Sequence, residues 1–111
     1  MANEARVVFC TFPSPDKAGE IARVLVGEKL AACVNILDAV SIYVWKDELQ
    51  NDAETLAIIK TSADRFEALK KRIIELHPYE VPEVIALPIL DGHAPYLAWV
   101  EGTVSTISTA G

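Results

Sequence analysis

The chain has 111 residues, 51% hydrophobic and 23% charged, and 16 acidic against 10 basic side chains leave a formal net charge of −6. That length fits one compact domain, 1–111, and the apolar fraction excludes a disordered tail. The acidic balance argues against general affinity for nucleic acid or an anionic membrane surface, since both need a basic field.

Cys10 and Cys33 are too few for a secreted disulfide scaffold. Residues 1–5 carry no basic run before an apolar core, and no apolar stretch approaches the ~20 residues of a membrane helix. The expectation is a chain of the cytoplasm, without a signal peptide or membrane span.

The first apolar run, Arg6 to Phe12, is β-branched and aromatic and predicts a buried strand that Pro13 ends. Ser14 stands at the N-cap position of a helix over 15–29, with Pro15 in its first position and Asp16 in its first turn. Ala18, Ile21, Ala22 and Leu25 give that helix one apolar face. Gly27 inside it costs about 1 kcal/mol against Ala, for which close packing is the only evident reason.

A long strand follows from Cys33 to Trp45, with a bend expected at Leu37-Asp38. In its second half Ser41, Tyr43 and Trp45 share one face. Lys46 to Ala53 is polar and acidic and reads as a hairpin connection, and Glu54 to Thr61 as the third strand. Ser62 is placed to cap a second helix with the stripe Phe66, Leu69, Ile73 and Leu76, which Pro78 stops. Val84 to Ile89 predicts the fourth strand. After a turn at Asp91-Gly92-His93, a short helix runs from Ala94 to about Val104, and residues 105–111 look frayed.

The order β-α-β-β-α-β predicts an α+β ferredoxin-like sandwich, its antiparallel sheet ordered 4-1-3-2, plus the short C-terminal helix. That topology gathers Cys10, Trp45, Glu54 and the segment His77 to Glu83 at one edge. It also separates Cys10 and Cys33 by two strand spacings, roughly 9–10 Å. A disulfide needs Cα atoms closer than about 7 Å, so the two thiols are expected free.

Cys10 and His77 are the most chemical pair at this edge. Thiolate and imidazole suit copper or zinc, although two ligands do not complete a zinc site. The plainer reading is a buried cysteine and a histidine that ends a helix. His93 beside Asp91 could bind a metal or make a polar turn, and without a second histidine nearby the turn is the favoured reading. Tyr79, Glu80 and Glu83, bracketed by Pro78 and Pro82, form a stiff polar segment suited to an ion or a subunit contact, or a plain connection. Lys60, in an apolar strand, must reach solvent or pair with a carboxylate such as Glu54. Tyr43, Trp45 and Trp99 are large amphipathic surfaces for a ligand or, more in keeping with their chemistry, for subunit packing. No phosphate-binding loop, nucleophile elbow, C-x-x-C or paired-histidine motif is present, so catalysis has no visible machinery.

At LAACVNI (30–36), SIYVW (41–45), LHPYEVPEVIALPI (76–89) and YLAW (96–99) the chain resembles the CutA divalent-cation-tolerance family over essentially its whole length. The resemblance implies a homotrimer of ferredoxin-like subunits, similar to the PII signalling proteins, with a role in tolerance to copper and other divalent ions. It also implies copper ligands at Cys10 and His77. Leu76 stands where some members carry a second histidine. The alternative implied is a PII-like signalling trimer that binds a small metabolite or a protein partner. Residues 41–61 hold two lysines and no glycine, which disfavours a nucleotide as that metabolite.

Overall fold

The structure, a computed structural model, describes residues 4–106. Its elements in chain order are β1 (Ala5–Phe12), α1 (Pro15–Gly27), β2 (Cys33–Trp45), β3 (Glu48–Ser62), α2 (Phe66–Leu76), β4 (Ile85–Pro88) and α3 (Ala94–Val104). A 3-10 turn at Ala63–Arg65 leads into α2. The strands form one antiparallel sheet ordered β2-β3-β1-β4, the expected ferredoxin-like order read from the other edge.

Alternation along β1 sets the layers. Val8, Cys10 and Phe12 face one side and are buried, covered by Ala18, Ile21 and Leu25 of α1 and Leu69 and Ile73 of α2. Each large side chain in this layer contributes about 1.5–3 kcal/mol through burial. On the other side α3 covers only one end, where Leu97, Val100 and Val104 meet Ala5 and Ala32. The rest of that face is apolar and partly open. Register places Phe9 beside Ile58 and Ile85, and Val7 beside Leu87. Ile85 and Leu87 are about half exposed.

Ser14 caps α1 as its position predicts, its hydroxyl accepting from the Lys17 N–H at 3.1 Å, with Pro15 opening the helix. The helix stops at Gly27, two residues early, because the chain turns into the left-handed region at Lys29 (φ 60°). Gly27 is not there for close packing: a Cβ at that position meets nothing within 4 Å.

The largest departure from expectation is the hairpin. The connection is not Lys46 to Ala53 but the two residues Lys46 and Asp47, both at positive φ (51° and 66°), as tight hairpins require. β3 therefore starts at Glu48, six residues before Glu54, and Tyr43 pairs with Gln50 and Ser41 with Asp52. The polarity of this stretch reflects a strand wet on both faces. The ladder runs through Leu37-Asp38 without a slip in register, so no break in pairing marks the bend expected there. Thirteen residues of β2 at about 3.3 Å each span roughly 43 Å, and the hairpin makes the molecule 55 Å long by 26 and 21 Å across.

Smaller corrections follow from local bonding. Ser62 precedes the 3-10 turn and gives its hydroxyl to the Asp64 carboxylate at 2.5 Å, so it does not cap α2 by a side-chain bond. β4 is Ile85–Pro88 rather than 84–89; Pro88 is tolerated because β4 is an edge strand. Ser105 and Thr106 follow α3 without regular structure, and the rest of the tail expected to fray lies outside the described residues.

Since Gly27 has neither a positive φ nor a neighbour to spare, Gly27→Ala should stabilise the chain by about 0.4–1 kcal/mol through lost freedom of the unfolded state. Denaturant unfolding that shows a lower midpoint for the variant would contradict this account of the helix end.

Candidate functional site

The outer part of the β2–β3 hairpin and the segment leading from α2 to β4 enclose an open cleft of about 560 Å³, a size typical of small-molecule sites. Thr11, Tyr43, Trp45, Glu54, Tyr79, Glu80 and Glu83 line it, together with Ser41, Ile42 and Val81. The β period brings Ser41, Tyr43 and Trp45 to the same wall.

His77 holds the opposite wall in place. α2 ends as His77 turns extended (ψ 135°) before Pro78. Its imidazole is buried, stacks on Phe12 (ring centroids 4.8 Å apart) and touches Tyr79 (4.7 Å). The Tyr79 N–H donates to Nδ1 at 3.1 Å, which requires Nδ1 to be unprotonated; Nε2–H then donates to the Thr11 carbonyl at 2.7 Å. This bonding assigns one neutral tautomer. Burial pushes the imidazole below its ordinary pKa, against a smaller opposing effect of the Thr11 carbonyl.

Tyr79 reaches across to donate its hydroxyl to Glu54 at 2.5 Å, and Tyr43 donates to Asp52 at 2.6 Å. Burial first, then the Glu54 bond, raises the Tyr79 phenol, and the Asp52 bond raises that of Tyr43. At the rim Lys46 Nζ lies 3.9 Å from Glu80 and 5.8 Å from the centre of the Trp45 ring. Cys10 is buried, its thiol pushed up to about 12 by burial, then by Glu83 and Glu54. It is therefore a protonated thiol at neutral pH.

Six of the residues singled out from sequence thus meet in one cleft: Tyr43, Trp45, Glu54, Tyr79, Glu80 and Glu83. Cys10 and His77 do not line it, although the charge of Glu54 bears on both. Lys60 and Trp99 lie elsewhere. Lys60 donates to Asn35 Oδ1 rather than pairing with Glu54, whose carboxylate takes the Tyr79 hydroxyl. Trp99 is half exposed on α3 against Tyr96, their ring centres 5.6 Å apart. Asp91 accepts its neighbour's N–H, and the His93 carbonyl accepts from Tyr96 and Leu97, as a turn before a helix would. Among the described residues no three His, Cys, Asp or Glu side chains are grouped to hold a metal ion.

Sequence reasoning missed Asp52, Lys46 and Thr11. Asp52 and Lys46 were hidden by assigning residues 46–53 to a loop; a two-residue turn at 46–47 would have shown Asp52 opposite Ser41. Thr11 contributes a carbonyl, for which no side-chain signal exists.

The family description "CutA1 divalent ion tolerance protein" matches residues 6–103. The chain belongs to the CutA1 family. It is 50% identical over 95 residues to the divalent-cation tolerance protein CutA of Thermus thermophilus, covering 85% of this chain and 92% of that one. It is 45% identical over 104 residues to Protein CutA of Mus musculus, covering 93% of this chain but only 59% of the mouse protein's length. Among solved structures, the PII-like protein CutA from Nostoc sp. PCC 7120 superimposes with a TM-score of 0.86 at 36% identity, covering 92% of this chain and 99% of that one. The fold is accordingly the PII-like CutA fold. No helix among the described residues is long and apolar enough to cross a membrane.

Both cysteines are free, Cys10 buried and Cys33 partly exposed. Thiol counting should therefore find two thiols per chain after denaturation without reductant and about one, Cys33, on brief labelling of the native protein. Equal labelling of both native thiols would contradict the burial of Cys10.

His77 generates a pH prediction. Its folded pKa lies below the 6.5 of an ordinary imidazole, so the unfolded chain binds the proton more readily. Stability is fully present above the unfolded value and falls as pH drops through it towards the folded one. The denaturant midpoint should fall between pH 7.5 and 5.5, and fall less in His77→Gln. An identical fall in both proteins would remove His77 as a cause.

Proposed function

We propose that the chain acts in divalent-cation tolerance as a homotrimer that binds copper or another divalent ion beside Cys10 and His77 and takes part in the response to metal ions. The observation that carries this reading is electrostatic. A buried thiol and a buried imidazole lie within the field of the cleft's carboxylates, Glu54 acting on both and Glu83 on Cys10. Burial holds the thiol protonated and the two carboxylates add to it; a cation bound to the sulfur must displace that proton, so binding should release a proton and weaken at low pH. Leu76 leaves Cys10 and His77 as the soft donors, enough for two-coordinate Cu(I). Because both ring nitrogens of His77 are engaged, coordination requires it to give up Thr11 or Tyr79.

The trimer is supported by the apolar sheet face that α3 leaves open, where Leu37, Ile85 and Leu87 are 42–50% exposed. Apolar area of this kind in a small domain marks a contact surface. The likeness to the PII-like protein of Nostoc agrees with the PII-like trimer expected from the sequence. A partly exposed free thiol at Cys33 suits a reducing compartment, the cytoplasm.

A second reading has its own observation. The cleft is large enough for a small metabolite and the hairpin extends far enough to touch a protein partner, as in a PII-like signalling trimer.

Anaerobic Cu(I) titration against a competing chelator separates the two. Wild type should bind at most about one ion per chain, with Cys10→Ser losing more affinity than His77→Gln, because a hydroxyl is a hard, protonated replacement for sulfur. A form lacking residues 1–3 controls for binding at the amino terminus. Unchanged affinity in its Cys10→Ser version would overturn the metal reading in favour of the signalling one. Sedimentation at micromolar concentration should give three times the chain mass; a monomer would remove the trimer.

A further inference from the structure

We propose that the cleft is a site for a linear primary polyamine, an organic cation with two or more alkylammonium groups. The proposal rests on the cleft as a small-molecule site and not on the copper pair. Its lining contains three carboxylates, Glu54, Glu80 and Glu83, and three aromatic rings, Tyr43, Trp45 and Tyr79, and no lysine, arginine or histidine. A phosphate or carboxylate ligand would meet three like charges against the single ammonium of Lys46 at the rim. A small hard ion would leave the aromatic walls unused, and among the described residues no three ligands are grouped to replace its hydration shell.

An alkylammonium uses both parts: carboxylates accept its charge-assisted hydrogen bonds and ring faces attract its charge. The chain supplies its own example. Lys46 places an alkylammonium at the rim, 3.9 Å from Glu80 and 5.8 Å from the Trp45 ring centre. Lys46 and Glu80 are both 73% exposed at the side chain, so this pairing is weak and readily exchanged. The other two carboxylates lie beyond it. One Glu54 oxygen takes the Tyr79 hydroxyl, while Glu83 accepts no hydrogen bond from the side chains of the described residues and stays exposed. A second and third ammonium on a flexible alkyl chain would reach positions that the tethered lysine leaves empty. The 560 Å³ of the cleft accommodates a chain of that length.

The test is calorimetric titration of spermidine into the full-length protein, with chelator present to remove metal and ionic strength held constant. Saturable binding of about one spermidine per chain is expected. Glu83→Gln, an isosteric change at an exposed side chain, should weaken it about threefold or more. Trp45→Leu should weaken it about threefold to tenfold, and Lys46→Gln, which removes the resident ammonium, should tighten it. Cys10→Ser should leave it unchanged. Absence of saturable heat, wild-type affinity in Glu83→Gln, or displacement by an equal concentration of magnesium would overturn the proposal. Should Trp45→Leu unfold, as a thermal melt would reveal, Glu83→Gln and the magnesium competition still decide. Copper binding measured on the same variants keeps the two sites distinguishable: loss of copper in Cys10→Ser with spermidine retained supports this site as separate, and copper bound by a protein that ignores spermidine overturns it while leaving the metal reading intact.

Discussion

A neutral, buried imidazole ties the end of β1 to the segment entering β4. His77 donates to the Thr11 carbonyl and accepts from the Tyr79 N–H, with its ring stacked on Phe12. Each bond satisfies a polar group that would otherwise cost about 1–3 kcal/mol unpaired in the interior. Together they set the path of residues 77–83, and that path sets where Tyr79, Glu80 and Glu83 stand. Tyr79 then bonds Glu54 on β3, joining two sides of the cleft lining. The site is thus a product of one side chain's hydrogen-bonding capacity more than of any loop sequence.

The same arrangement explains why the cleft's charge survives. Carboxylates gathered around a small space repel one another, and proteins relieve this with cations or hydrogen-bond donors. Here Tyr79 and Tyr43 donate to Glu54 and Asp52, and Lys46 stands by Glu80. Burial keeps the Cys10 thiol protonated, and Glu83 and Glu54 add to that effect. Cation binding, whether a metal ion beside Cys10 or an ammonium between the rings, would draw on that stored negative field. The family role in divalent ion tolerance and the chemistry of the cleft point the same way in sign.

Legibility varied with how local the causes were. The cap of α1 was readable because Ser14, Pro15 and Asp16 act within four residues of one another. The stripe of α2 was readable because period 3.6 needs no partner to be recognised, and Leu69 and Ile73 are indeed buried. Strand order followed from chain order through the handedness of crossovers. The hairpin was misread because a strand exposed on both faces loses its alternating pattern and resembles a loop. Lys46 and Asp47 in the left-handed region gave no warning either, since neither is the Gly or Asn that usually marks such a turn.

By itself the sequence determined the α+β class, the order of the elements, the two separated thiols and the set of aromatic and acidic residues available at one edge. Periodicity, caps and crossover handedness are local or topological, so one chain written out carries them. Only the tertiary structure decided that Glu54 takes the Tyr79 hydroxyl while Lys60 turns to Asn35, that both nitrogens of His77 are occupied, and that Trp45 and Lys46 return to the cleft. Those outcomes depend on which of several donors and acceptors, 25 to 66 positions apart in the chain, lies within about 3 Å once it has folded, and no spacing along the chain encodes a distance of that kind.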